Sequence, residues 1–244
     1  MTSPQPGSQS GAPAPTFSVE GFRIGVRYAF AVVPGAAVFA VAFGTLAAQK
    51  GLTLLETALM SMLVFAGASQ LVALEVWSMP MTLGTIVTLT LVVGVVNLRL
   101  VLMGASLRPW LGPLPAVKVY PLLLLTTDSS WLMAIRHRSE GGNDAAVLLG
   151  AGITLWIFWI LPTIAGYLFG GLIPQPERFG LDLILPIFFV AMLVPLWRGV
   201  RRAIPWAVAG LVALAVQALL PGFWFIIAGA LSGAVAGGFV DDRR

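Results

Sequence analysis

The chain has 244 residues, 58% of them hydrophobic and only 10% charged, with a mean hydropathy of +0.94. Soluble domains carry roughly 25% charged residues, so this composition cannot cover a water-facing surface and most of the chain must be solvated by lipid. Cysteine is absent, which excludes disulfide frameworks, thiolate metal sites and cysteine nucleophiles; the single histidine, His137, argues against a zinc or haem site. No cofactor is expected. The net charge of +4 comes from 14 Lys/Arg against 10 Asp/Glu, and the basic residues lie between apolar runs. They read as membrane-orienting charges and not as a nucleic-acid surface.

Residues 1–19 are rich in Pro, Ser, Gly and Gln and offer no apolar run to bury. They read as a disordered tail, not as a signal peptide, because Arg23 and Arg27 come late and no cleavage site follows a short apolar core. Residues 20–244 read as one transmembrane domain. A membrane helix needs about 20 mostly apolar residues. Uncharged stretches of or near that length are 29–48, 57–74, 76–98, 145–176 and 203–240, with a shorter run at 183–197. The last long stretch is broken at Leu220-Pro221-Gly222-Phe223 and reads as a helical hairpin. Residues 109–127 are Pro-rich and hold Lys118; with Asp128 to Ile135 they predict one short or re-entrant helix. The fold class expected is all-α, a polytopic helical membrane protein of about 7–8 membrane segments. The runs lack the alternation of a membrane barrel, and their recurrent Gly and Ala predict close helix packing.

Arg23 and Arg27, Arg136 and Arg138, Arg198 to Arg202, and Arg243 and Arg244 form four basic clusters. The positive-inside rule places all four, and with them the N-terminus, in the cytoplasm. Eight crossings satisfy that rule except at Arg108 and Lys118, which then face outward; if an early segment dips in without crossing, both face inward. A weak internal repeat is also present. Phe43-Gly44-Thr45-Leu46, Gly51-Leu52-Thr53-Leu54 and Met62-Leu63-Val64 are echoed by Phe169-Gly170-Gly171-Leu172, Gly180-Leu181-Asp182-Leu183 and Met192-Leu193-Val194, with interruptions at Gly67 and Pro195 just beyond.

Polar groups within hydrocarbon are costly, so those inside apolar runs are functional candidates. Gly67, Ala68, Ser69 and Gln70 predict an unwound turn whose freed N–H and C=O groups face a substrate. Asn97 and Arg99 end the 76–98 run. Thr127 and Asp128 follow a leucine run, and Asp128 is the only acidic residue between Glu75 and Glu140, which makes it the natural partner of Arg99. No paired acid–base groups or metal-binding helix motif are evident, so catalysis is not expected; the rival readings are a membrane-embedded enzyme and a passive channel subunit.

These groups, in this order, resemble the AzlC-type large subunit of branched-chain amino-acid permeases, the LIV-E exporter family. The resemblance spans about Gly21 to Val240. It is carried by Leu59-Met60-Ser61 through Phe65-Ala66-Gly67-Ala68-Ser69-Gln70, by Asn97-Leu98-Arg99 with Leu102-Met103 and Ser106-Leu107, by Leu125-Thr126-Thr127-Asp128, and by Trp156 with Gly166. Leu100 stands where the family usually has histidine and Ser129 where it usually has glutamate, leaving Asp128 as the local group able to take up a proton. The resemblance implies export of valine, leucine, isoleucine or similar amino acids across the bacterial inner membrane. It also implies coupling to the proton gradient and a small hydrophobic partner subunit of the AzlD type.

Overall fold

The computed structural model describes residues 14–77, 80–170, 190, 197, 199–220 and 224–241. Among them the regular structure is helical: α1 Val19–Phe30, α2 Val33–Gln49, α3 Leu54–Leu63, α4 Gly67–Val76, α5 Leu83–Leu111, α6 Ala116–Leu124, α7 Asp128–Ser139, α8 Ala146–Gly170, α9 Val200–Leu219 and α10 Trp224–Asp241. Helices α5, α8 and α9 are each long and apolar enough to cross a bilayer, and α1 with α2 passes the same test as a pair bent by 64° at the break between them. The chain divides into two compact units, Met1–Val38 with Arg99–Pro162 and Phe39–Leu98 with Thr163–Arg244.

In the first unit, Ser18 caps α1 by accepting from the Gly21 N–H at 3.0 Å. Residues 14–18 fall inside the stretch that composition assigned to a disordered tail, yet they are bound. The Thr16 N–H donates to the Asn143 carbonyl at 2.9 Å, the Ala145 N–H donates back to the Thr16 carbonyl at 2.9 Å, and Ser18 Oγ donates to the Asp144 carboxylate. Partners some 127 residues away leave no trace in local composition. The core gathers Leu107, Trp110 and Leu111 of α5, Leu122 of α6, Ala134 of α7, and Ala145 and Leu148 at the start of α8.

In the second unit, Thr53 and Glu56 cap α3 reciprocally, which satisfies two of the free donors at its N-terminus. Hydrogen bonds from Thr53, its backbone N–H first, hold the Glu56 carboxyl below the ordinary value of 4.5. Helices α2 and α8 touch backbone to backbone. A side chain at Gly44 would run into the Thr163 carbonyl oxygen, and one at Gly166 into that of Val41. Without a hydrophobic force between helices in lipid, this close approach, with Thr45 Oγ1 donating to the Gly166 carbonyl at 3.1 Å, is what holds them. Helices α9 and α10 form the hairpin expected from the Pro221 turn, although Pro221 itself lies outside the described residues.

Two expectations need adjustment. The 57–74 run is two helices, interrupted at Val64–Ala66, so Gly67 to Gln70 are not an unwound turn but the first turn of α4. Phe65 takes φ +42, so the helical path is interrupted there, two residues earlier than the glycine suggested. The 76–98 run does not end at Arg99; α5 starts at Leu83 and continues to Leu111, because Arg99 finds a carboxylate and need not reach water. The second copy of the repeat falls largely on residues outside those described, as do Pro195 and most of 183–197.

The close α2–α8 contact makes a direct prediction. Gly166→Leu should lower the apparent melting temperature in detergent, at a cost of about 1–3 kcal/mol or more from overpacking. Gly94→Ala, at a position with nothing within 4 Å, should leave it unchanged or slightly raised.

Candidate functional site

Polar side chains collect at two places. In the second unit, Ser61 on α3, Gln70 on α4 and Thr163 on α8 are each fully buried, at 0% exposure. Gln70 Nε2 donates to Ser61 Oγ at 3.3 Å, and Ser61 Oγ donates to Thr163 Oγ1 at 3.4 Å. One residue earlier, the buried Ser69 donates to Asn97 Oδ1 on α5. Because that carbonyl oxygen is the acceptor, both hydrogens of the Asn97 amide group point elsewhere. Buried polar groups of this kind persist only when hydrogen-bonded, and here each named bond ties one helix to another.

The α3–α4 break lies between these bonds. Ala66 occupies the cap position of α4 with φ −137 and ψ 82, and it has no side chain with which to accept from the first turn. The Gln70 N–H is satisfied by the Ala66 carbonyl at 2.9 Å. The N–H groups of Gly67, Ala68 and Ser69 precede the first possible partner within the helix. They carry the partial positive charge of the helix end, while the last carbonyls of α3 carry the partial negative charge of its own end. Opposite helix termini therefore meet at Val64–Ala66.

The second place is in the first unit. Arg99 Nη1 and Asp128 Oδ2 are 3.0 Å apart, with side chains 30% and 28% exposed. The pairing expected from sequence is present, but it is half-buried rather than buried. Asp128 opens α7, where a carboxylate is favoured by the helix dipole. Thr127 caps the same helix reciprocally with Ser130: the Thr127 N–H donates to Ser130 Oγ at 2.8 Å, and the Ser130 N–H donates to Thr127 Oγ1 at 3.3 Å. Thr127 is thus spent on the cap. Arg99 Nε is buried without a hydrogen-bond partner among the described residues. Its guanidinium meets the carboxylate through one terminal nitrogen.

The structure brings Ser69 and Gln70 together with Asn97 and Ser61, and it brings Arg99 to Asp128. Ser61 and Thr163 were not singled out from sequence as site residues. The available signal was a hydroxyl inside an apolar run, Thr163 directly after Pro162, but such hydroxyls are common because they can bond back to their own helix.

Long apolar helices, helix breaks lined with buried polar groups and an ion pair between helices define a polytopic helical membrane protein. A family model described as "AzlC protein" matches residues 31–173, and the chain belongs to that family. It is also similar to an uncharacterized membrane protein of Archaeoglobus fulgidus, 27% identical over 223 residues that cover 89% of this chain and 94% of the relative. No solved structure matches the chain.

The buried cluster is expected to contribute to stability. Ser61→Ala should cost about 1 kcal/mol, the net worth of a typical hydrogen bond, read as a lowered melting temperature in detergent. Ser139→Ala, exposed on α7, should shift it by no more than about 0.5 kcal/mol.

Proposed function

We propose that this chain is a secondary transporter that exports branched-chain or similar small apolar amino acids across the inner membrane. In this reading it works with a small hydrophobic subunit of the AzlD type, is driven by the proton gradient, and keeps its N-terminus in the cytoplasm. The single observation that carries the reading is the uncapped start of α4 at the α3–α4 break. An amino acid is a zwitterion on one carbon. Its carboxylate needs donors, which the N–H groups of Gly67, Ala68 and Ser69 supply; its ammonium needs acceptors, which the last carbonyls of α3 supply. Gln70 and Asn97, fixed through Ser61 and Ser69, complete the polar lining. Membership of the AzlC family, a membrane-transport family, supports transport over catalysis.

Arg99 and Asp128 take the coupling role. A proton arriving at Asp128 removes the charge that Arg99 answers, so protonation and the opening of the pair are one event. Thr127 serves here by fixing the start of α7, and with it the position of Asp128.

Cells expressing the chain with its small partner and fed a valine-containing dipeptide should hold less internal valine than cells without it. Unchanged internal valine would count against export. Gly67→Leu, stably expressed, should lose most of that export by filling the start of α4. Asp128→Asn should export with no dependence on pH, whereas retained pH dependence would make Asp128 structural. Because Arg99 makes one terminal contact, Arg99→Lys should keep a measurable fraction of activity.

A further inference from the structure

Helices α6 and α7 have 9 and 12 residues, so each is about 14–18 Å long and reaches about half of a 30 Å hydrocarbon layer. Placed end to end they would cross the bilayer once, leaving Lys118 and Arg138 about 30 Å apart. The contacts exclude that arrangement. Lys118 Nζ, near the start of α6, lies 5.0 Å from the centre of the Phe17 ring. Arg138 Nη1, near the end of α7, donates to Asn143 Oδ1 at 2.6 Å. Asn143 in turn accepts from the Thr16 N–H through its carbonyl, and its Nδ2 donates to the Ala14 carbonyl at 3.0 Å. Both outer ends of the helix pair are therefore fastened to the same short stretch, residues 14–17.

The inner ends lie deep. Trp110 of α5 donates from Nε1 to Asn143 Oδ1 at 3.1 Å, which puts it level with the outer ends. Trp131 Nε1 donates to Ser106 Oγ at 2.8 Å, and Asp128 meets Arg99. Along α5 the partners step from 110 through 106 to 99, a climb of about 16 Å. On α8, Gly152 is pressed against the Leu125 carbonyl seven residues in from Ala145, about 10 Å. The turn at Leu125–Thr127 is thus reached at about half the thickness of the layer.

From this we infer that α6 and α7 form a re-entrant hairpin that enters and leaves on the N-terminal side of the membrane and carries Thr127 and Asp128 to mid-depth. The pair adds no crossing. It also removes the conflict that Lys118 raised for the charge rule, since Lys118 lies on the same side as Arg138 and the N-terminal stretch. Mid-depth is where an Asp is most costly, so the Thr127–Ser130 cap and the Arg99 partner are what make the hairpin tip tenable. The inference deepens the coupling role proposed for Asp128, but its test does not depend on transport.

The chain has no cysteine of its own, so single cysteines report without background. Ala14→Cys, Ala116→Cys and Ser139→Cys, all at exposed positions, should react with a membrane-impermeant maleimide from one and the same side in sealed right-side-out and inverted vesicles. Val117→Cys and Glu140→Cys repeat the measurement should either neighbour fail to fold. Labelling of the 116–117 and 139–140 positions from opposite sides would overturn the hairpin and make α6–α7 a crossing. Same-sided labelling in a protein that moves no amino acid would uphold the hairpin while removing the transport reading.

Discussion

A helix interrupted in hydrocarbon releases backbone donors and acceptors that no water will satisfy, and each left unpaired costs several kcal/mol. Among the described residues, besides the bend between α1 and α2, the helices break at Val64–Ala66 and at Leu125–Thr127, and the polar side chains of the candidate site gather around these last two breaks. The apolar composition sets the terms: a polar group inside the helices is costly unless another side chain or the backbone pairs with it.

The two breaks are resolved differently. At Leu125–Thr127 the chain supplies its own answer. Thr127 and Ser130 exchange hydrogen bonds, Thr126 Oγ1 donates to the Leu122 carbonyl at 2.7 Å, and the Asp128 carboxylate sits on the helix end it stabilises. At Val64–Ala66 the cap is an alanine. Side chains around it are firmly held, Ser69 by Asn97 and Gln70 by Ser61, but the first N–H groups of α4 receive no capping side chain. A capped break is a structural joint. An uncapped one flanked by buried amides and hydroxyls is suited to a ligand that brings its own carboxylate.

Much of this was legible in the sequence. Apolar length and the lack of period-2 alternation gave an all-helical membrane protein, and the turn residues near Pro221 gave the α9–α10 hairpin. Arg99 and Asp128 were paired on scarcity alone, since no other carboxylate lies between Glu75 and Glu140. The interruption near Gly67 is visible because Gly and Ser weaken a helix, but its place is not. The break sits at Phe65, a residue with no preference for a positive φ, where packing of the flanking helices decides the path. Arg99 ends the uncharged 76–98 run, yet α5 continues past it to Leu111 with Arg99 paired to Asp128. The links from Thr16 and Ser18 to Asn143 and Asp144, and from Ser61 to Thr163, join residues far apart in the chain that no local pattern connects.

The central claim is that the uncapped start of α4 receives the carboxylate of an amino acid. Equilibrium binding of labelled valine to the purified protein in lipid nanodiscs tests it most directly, with leucine and valinamide as competitors. The account predicts saturable binding that leucine displaces and valinamide, which lacks the carboxylate, does not. Equal displacement by valinamide, or binding undiminished in Gly67→Leu, would contradict it.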